Sequence, residues 1–480
     1  MAKSRNPIPR EIWIAVVIGG VAGLFTANPW LTLLAIMFIP FAFALLWRSR
    51  ETPVLLFAVG YQWLQVSLPI FDANAVGLNL AVGFAVSNLD VAALLSFYSL
   101  AALALGMRVG RGSRLLGQQQ AMLASISGFS VSRLLIFYVA ALLVSMAALA
   151  VGTAIGGLRQ PTIALLYVRW VAVFIILMAS FTDSRFRGLA VCVFGLELAI
   201  GFLGYFSTFK DVLFIAVLAA VGSMRDFRRL LRPRVVVLVF LIGVCGIFWQ
   251  AIKDDYRNFL NQGTRAQTVL VTPVERVYFL FNAALDITTD DIVEGFESGV
   301  SRTGYLEYFA RVTTVVPASI PYQNGRLWGE ATAHVLQPRF FFPEKLAIND
   351  SDRVNEFSGT TVAGADQGTS ISLGYAAESY IDFGPFFLAL PVFLWGVLLG
   401  RMFALLCTTG GSGLVSLGFA ITFVLTSALF FEASNIKMFG GALSFFIGAW
   451  AILRLGSRDI EKFISLPTAP RAVGRVRSNG

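Results

Sequence analysis

Hydrophobic positions in this chain come in runs of about 20 residues separated by short polar breaks, the length that carries an α-helix across a hydrocarbon core of about 30 Å. About twelve such runs read as membrane spans, near 12–27, 29–47, 53–70, 90–107, 134–153, 162–181, 188–206, 209–223, 235–252, 385–403, 412–430 and 438–455. The eighth run is short and either tilts or shares a re-entrant turn with the seventh. One long polar stretch, from Lys253 to Asp382, interrupts the series. A structureless loop of that length is uncommon in a folded protein, so it predicts a small folded cap or an active-site insertion. Within it, VERVYFLFNAALDITTD and TGYLEYFARVTTVVP carry apolar residues at three- and four-residue spacing, which predicts amphipathic helices at the bilayer surface or over the bundle mouth. The division that follows is 1–252 for nine spans, 253–383 for the large loop, 384–456 for three more spans and 457–480 for a basic tail.

Composition agrees with that pattern. Of 480 residues, 57% are hydrophobic and 14% charged, where soluble domains carry about 25% charged residues. The formal charge of +9 is not a nucleic-acid signal, because the basic residues sit in short breaks between spans. They also alternate. One set of breaks holds Arg48 and Arg50, then Arg108, Arg111, Arg114 and Arg133, then Arg185 and Arg187, then RDFRRLLRPR; the C-terminal tail adds Arg454, Arg458, Lys462, Arg471, Arg475 and Arg477. The opposite short breaks hold little more than Arg159, Lys210 and Lys437. The positive-inside rule then puts both termini in the cytoplasm and the large loop on the external or periplasmic face. Lys3, Arg5 and Arg10 before the first apolar run resemble a signal peptide, but no small-residue cleavage site precedes a polar start, so the first run is read as an uncleaved helix. Cys192, Cys245 and Cys407 all fall in apolar runs with no metal-ligand spacing, which predicts no disulfide.

Ionisable groups inside spans are costly and carry function or packing. Arg169 and Glu197 lie mid-run in consecutive spans, and either fix helix packing as an ion pair or wall a buried carrier path. Lys210 and Asp211 stand where the seventh span turns into the eighth; the lysine either faces phosphates at headgroup depth or snorkels. In the large loop, Pro338 and Pro343 brace Arg339, with Lys345 beside them. Proline fixes the backbone, and a fixed arginine and lysine suit a diphosphate or anchor the loop to anionic lipid. Glu378 and Asp382 flank Tyr380 ahead of the tenth span, either as proton acceptors for a sugar hydroxyl or as acids at a helix start. His334, the one histidine, is a base or a structural residue. Asp350-Ser351-Asp352 matches the short DxD pattern of metal-using transferases, which three residues match by chance too readily to mark a metal site. Gly19 and Gly23 have the small-xxx-small spacing of helix packing. There is no phosphate-binding GxxxxGK[ST] loop, no HExxH and no internal repeat of the kind that builds inverted-repeat transporters.

The order Arg302-Thr303-Gly304, PYQNG, QPRFFFPEK, then GTSISLGYAAESYIDFG leading into a span, resembles the Wzy-type oligosaccharide repeat-unit polymerases of bacteria. The matching positions are Pro338-Arg339, Phe342-Pro343, Lys345, Thr369-Ser370-Ile371, Glu378, Tyr380 and Phe383-Gly384, within residues 300–385. Two positions depart from that pattern: Lys345 is followed by Leu346 rather than proline, and Lys210 stands where members often carry arginine. The resemblance implies an all-α polytopic fold of the GT-C kind with one large periplasmic loop, in a bacterial inner membrane. It implies an inverting, metal-independent glycosyltransferase without a cofactor, whose donor and acceptor are both undecaprenyl-diphosphate-linked glycans. Membrane lipid, a chain-length regulator and a flippase are the implied partners. In that scheme Arg302, Arg339 and Lys345 stabilise the diphosphate, Glu378 and His334 compete as the base, and Lys210 and Tyr380 assist binding. A ligase-like enzyme would use the same donor with another acceptor. A transporter or flippase of lipid-linked sugars would instead place its essential charges at Arg169 and Glu197.

Overall fold

A computed structural model describes residues 8, 10–48, 51–112, 118–205, 208–224, 233–264, 269–337, 341–342, 344–345, 349–364, 370–411 and 413–465. Among them the regular structure is helical, apart from one isolated bridge between Phe129 and Ser465. The first half holds α1 (Arg10–Gly23), α2 (Pro29–Leu46), α3 (Val54–Ala75), α4 (Leu89–Arg111), α5 (Gln118–Ser125) and α6 (Val131–Ala154). It continues with α7 (Ile163–Leu166), α8 (Val168–Thr182), α9 (Arg187–Leu203), α10 (Phe209–Gly222) and α11 (Pro233–Leu260). Five shorter helices follow: α12 (Pro273–Asp286), α13 (Thr289–Thr303), α14 (Glu307–Val315), α15 (Arg326–Leu336) and α16 (Asp350–Phe357). The chain closes with α17 (Tyr375–Phe387), α18 (Ala389–Thr408), α19 (Leu414–Ser427) and α20 (Asn435–Ile464).

Among the described residues, nine helical stretches are long and apolar enough to cross a membrane: α2, α3, α4, α6, α7 with α8, α9, α11, α18 and α20. Each coincides with an expected span. The other three expected positions carry α1, α10 and α19, each 14 residues long, which at 1.5 Å per residue falls short of a full crossing. The chain is an all-helical, polytopic membrane protein. One boundary differs from the sequence reading in a way that matters below: α11 does not stop at the edge of its apolar run but continues to Leu260.

Without a hydrophobic driving force between helices in lipid, close packing needs small residues. The tightest contact in this bundle follows that rule. Gly106 and Gly110 of α4 face Gly396 and Gly400 of α18, so that a Cβ on Gly396 would lie 2.5 Å from the Leu103 carbonyl. A Cβ on Gly110 or Gly400 would collide with the Val397 or Met107 carbonyl. Two small-xxx-small stripes thus bring backbone against backbone. The Gly19 and Gly23 pair works more modestly, setting α1 on Ile36 and Thr32 of α2.

The helices α12 to α16 sit over one end of the bundle, and the sequence caps them well. Thr272 with Glu275, and Thr288 with Asp291, form capping boxes at the starts of α12 and α13, each satisfying two otherwise orphaned groups. On α12 the residues Val274, Tyr278, Phe281 and Leu285 are exposed, an apolar face pointing away from the protein. Backbone bonds tie the cap down: Tyr305 N–H donates to the Gln65 carbonyl at 2.9 Å, and Gln323 and Asn324 N–H groups donate to the Ile381 and Asp382 carbonyls at 2.9 Å. Helix α17 bends at Gly384, whose φ of 71° is open to glycine and whose missing Cβ leaves room for the Tyr322 ring.

Candidate functional site

Three helices, the end of a fourth and one linker enclose a cavity of about 780 Å³ at the capped end of the bundle. Helix α3 presents Phe57, Tyr61 and Gln65, spaced by four and so on one face; α10 contributes Phe209, Lys210 and Phe214. Helix α11 contributes Trp249, Lys253 and Arg257, and the end of α13 brings Arg302 and Thr303. The α19–α20 linker closes it with Phe430 and Glu432. The lining combines aromatic and aliphatic side chains with four cations, Lys210, Lys253, Arg257 and Arg302. Farther along the same two helices, α10 and α11, lies a second, almost wholly apolar depression of about 380 Å³ between Leu177, Ala190, Phe194, Ala216 and Leu238.

The cations are held in different ways. Lys210 Nζ stands 4.7 Å from the Phe430 ring centroid and Arg257 stands 5.2 Å from that of Tyr205, contacts that help to orient a positive charge. Arg302 lies 3.9 Å from Asp254, a pair open to solvent on both sides, where such pairs contribute little. Lys253 is the unusual one. It is 5% exposed, and its described partner is the neutral Gln250 amide at 3.5 Å. Burying an ammonium against a neutral partner alone is costly.

Glu432 is the one carboxylate among the residues lining this cavity. Its Oε2 accepts from Gln65 Nε2, and Gln65 Oε1 accepts from Phe431 N–H at 2.8 Å. A single side chain of α3 therefore fixes the linker that carries Glu432, while its backbone carbonyl holds Tyr305, three residues after Arg302.

The residues singled out from sequence fall into two groups. Lys210 and Arg302 meet in the cavity. The other described ones do not line it. Glu378 is fully buried, with Oε1 3.1 Å from Arg353 Nη1 and Oε2 accepting Asn435 N–H at 2.8 Å, the first residue of α20. Burial pushes its carboxyl up to about 7 against the pull of these partners. Tyr380 donates to the Val316 carbonyl at 3.0 Å between the Phe309 and Tyr322 rings. Asp382 accepts from the Leu327 and Trp328 N–H groups at 3.0 and 2.9 Å and so caps α15. Lys345 donates to the His334 and Gln337 carbonyls, fastening the end of the helix that carries His334. Asp350 pairs with Lys437 at 2.7 Å and accepts from Ser372 and Ser434, while Asp352 accepts from Asn349. Arg339 lies outside the described residues, as do Pro338, Pro343 and Thr369. Within the bundle Arg169 lies 3.7 Å from Glu197, whose other oxygen accepts from Tyr138 at 2.8 Å. Among the described residues no group of three or more His, Cys, Asp or Glu side chains is placed to hold a metal ion.

The family model described as "Domain of unknown function (DUF8712)" matches residues 92–434. The chain belongs to this DUF8712 family. The matched segment takes in α10, α11, α13 and the Glu432 linker, and leaves α3, the remaining cavity wall, outside it. No curated protein and no solved structure matches the chain.

Lys253, Arg257, Gln65 and Glu432 were not singled out from sequence. A signal was present for two of them. Lys253 and Arg257 are four residues apart, which places them on one helical face as soon as α11 is carried past its apolar run.

Proposed function

We propose that this chain is a bacterial inner-membrane glycosyltransferase that joins oligosaccharide repeat units carried on undecaprenyl diphosphate, a polymerase of the Wzy kind. The observation that carries the reading is the buried Lys253, which has no carboxylate partner among the described residues, in a cavity also lined by Lys210, Arg257 and Arg302. A diphosphate leaving group accumulates negative charge as the glycosidic bond breaks, and fixed cations in a low-dielectric pocket stabilise that charge most where water is excluded. The apolar depression among α8, α9, α10 and α11 suits the hydrocarbon part of the same donor. The cap helices would cover the sugars, with the exposed apolar face of α12 resting on the bilayer.

In this reading about twelve spans form a GT-C-like bundle, with both termini cytoplasmic and the cap in the periplasm, the arrangement favoured by the lysine and arginine distribution. A chain-length regulator and a flippase would act beside it. Ligase-like transfer of a glycan to a different acceptor would use the same cavity. A transporter reading needs charges free to move in the bundle, and Arg169 is already paired with a Glu197 fixed by Tyr138.

The test is a deletion strain complemented with wild type or with Lys253→Ala at matched expression, its surface glycan resolved by size. The proposal expects a ladder of polymer lengths from wild type and single repeat units left on their carrier in the variant. A variant ladder of normal length removes the cavity from the mechanism. Lipid-linked units stranded on the cytoplasmic side of the deletion strain would identify a flippase instead.

A further inference from the structure

A glycosyl transfer onto a sugar hydroxyl needs a group to take the hydroxyl proton as the new bond forms. The acids of the cap seam are engaged elsewhere: Glu378 with Arg353 and Asn435, Asp382 with the start of α15, Asp350 with Lys437. Asp254 points to solvent beside Arg302. We propose that Glu432 is the proton acceptor of the transferase, an inference that rests on the functional reading above and adds to it the residue that activates the acceptor.

Three observations point to it. Glu432 lines the same cavity as the four cations, so an acceptor hydroxyl brought to a diphosphate-linked sugar there arrives beside its carboxylate. It makes no ion pair with those cations among the described residues. Gln65 holds Oε2 through a neutral amide, leaving Oε1 without a protein partner among the described residues. And its position is over-determined, because Gln65 grips the preceding backbone N–H as well. A carboxylate placed only to balance charge would sit against a cation; this one is fixed by an amide.

The step balances. The acceptor oxygen forms its bond to the anomeric carbon as its proton passes to Glu432 Oε1. The bond from that carbon to the diphosphate breaks, and its electron pair leaves on the diphosphate, which Lys210, Lys253, Arg257 and Arg302 surround. Water at the cavity mouth then removes the proton from Glu432.

The experiment uses the full chain in lipid nanodiscs with a polyprenyl-diphosphate-linked repeat unit as both donor and acceptor, and a short-chain polyprenyl diphosphate as the binding probe. Glu432→Gln is expected to bind the probe within about twofold of wild type and to lose turnover by about 100-fold or more. Its residual rate should lose the acid limb of the pH–rate profile, and Glu432→Asp should recover part of the rate. Turnover by Glu432→Gln within about threefold of wild type overturns the assignment while leaving the transferase reading intact. Loss of probe binding together with turnover overturns it too, and makes Glu432 a structural brace. If wild type itself neither binds the probe nor elongates the unit, the transferase reading fails and this inference fails with it.

Discussion

Arg353 of α16 reaches Glu378 of α17 with 3.1 Å between Nη1 and Oε1, while its other nitrogen lies 3.0 Å from Glu330 of α15. One guanidinium thus joins two cap helices to α17, and through Glu378 it joins them to the start of α20. Removing one partner of a buried pair costs more than the pair contributes, because the survivor stays desolvated. Glu378→Ala at pH 8 is expected to lower stability by about 3 kcal/mol, the half-exposed Glu330 retaining part of the compensation. Thermal unfolding of the purified chain in detergent measures it. An unchanged midpoint would show that the seam is not a source of stability.

The same carboxyl sets a pH dependence. Burial raises it to about 7, so the folded chain keeps a proton that the unfolded chain, with an ordinary carboxylate, has released. Its contribution to stability is fully present below the ordinary carboxylate range and is lost progressively as pH rises from there through about 7. Midpoints recorded from pH 5 to 8 should fall with rising pH, and Glu378→Gln should remove that slope. A slope that survives the substitution belongs to another group.

In the bundle, Glu197→Ala strands Arg169 and should destabilise the chain by about 3–5 kcal/mol, whereas exchanging both residues together for apolar ones of similar size should restore most of the loss. Glycan length per folded molecule should stay at the wild-type value in the double variant. A double variant that folds normally and makes no polymer would instead place this pair in the reaction or in a transport path.

Asp382 stands at the start of α15 with both oxygens on backbone N–H groups. Asp382→Ala should cost about 1 kcal/mol, the usual loss of a side-chain cap, and should speed amide exchange in the first turn of α15 most of all. Uniform exchange across the cap would contradict a local role.

The spans were legible because an apolar run of about 20 residues is stable in few settings besides a bilayer, and every expected position holds a helix. Lys210 was legible as a cation at the turn between two apolar runs, and Arg302 through the family resemblance. The rest of the site was hidden for physical reasons. Lys253 and Arg257 lie where hydrophobicity has stopped but the helix has not, so an apolar-run criterion trims them from α11. Glu432 occupies a short linker between two late spans, and its partner Gln65 is on α3; the matching bond from Phe431 to Gln65 spans 366 positions. No local pattern encodes a contact of that range. The acids around Tyr380 read either as proton acceptors or as acids at a helix start; in the fold Glu378 meets Arg353 and the start of α20, and Asp382 meets the start of α15.

The glycine stripes of α4 and α18 also govern the order in which the protein can be made. Helix α4 enters the membrane early, yet the surface it fits is translated only after the entire cap has been synthesised. Until then its glycine face has lipid in place of the matching backbone. A nascent chain that stops before Ala389 therefore holds α4 packed on α2 and α3 but nothing against its glycine face, and quality-control proteases should meet it as an orphan. Supplying the C-terminal segment from Ala389 onward as a separate polypeptide should rescue such a fragment from degradation, and bulky residues at Gly396 and Gly400 should abolish the rescue.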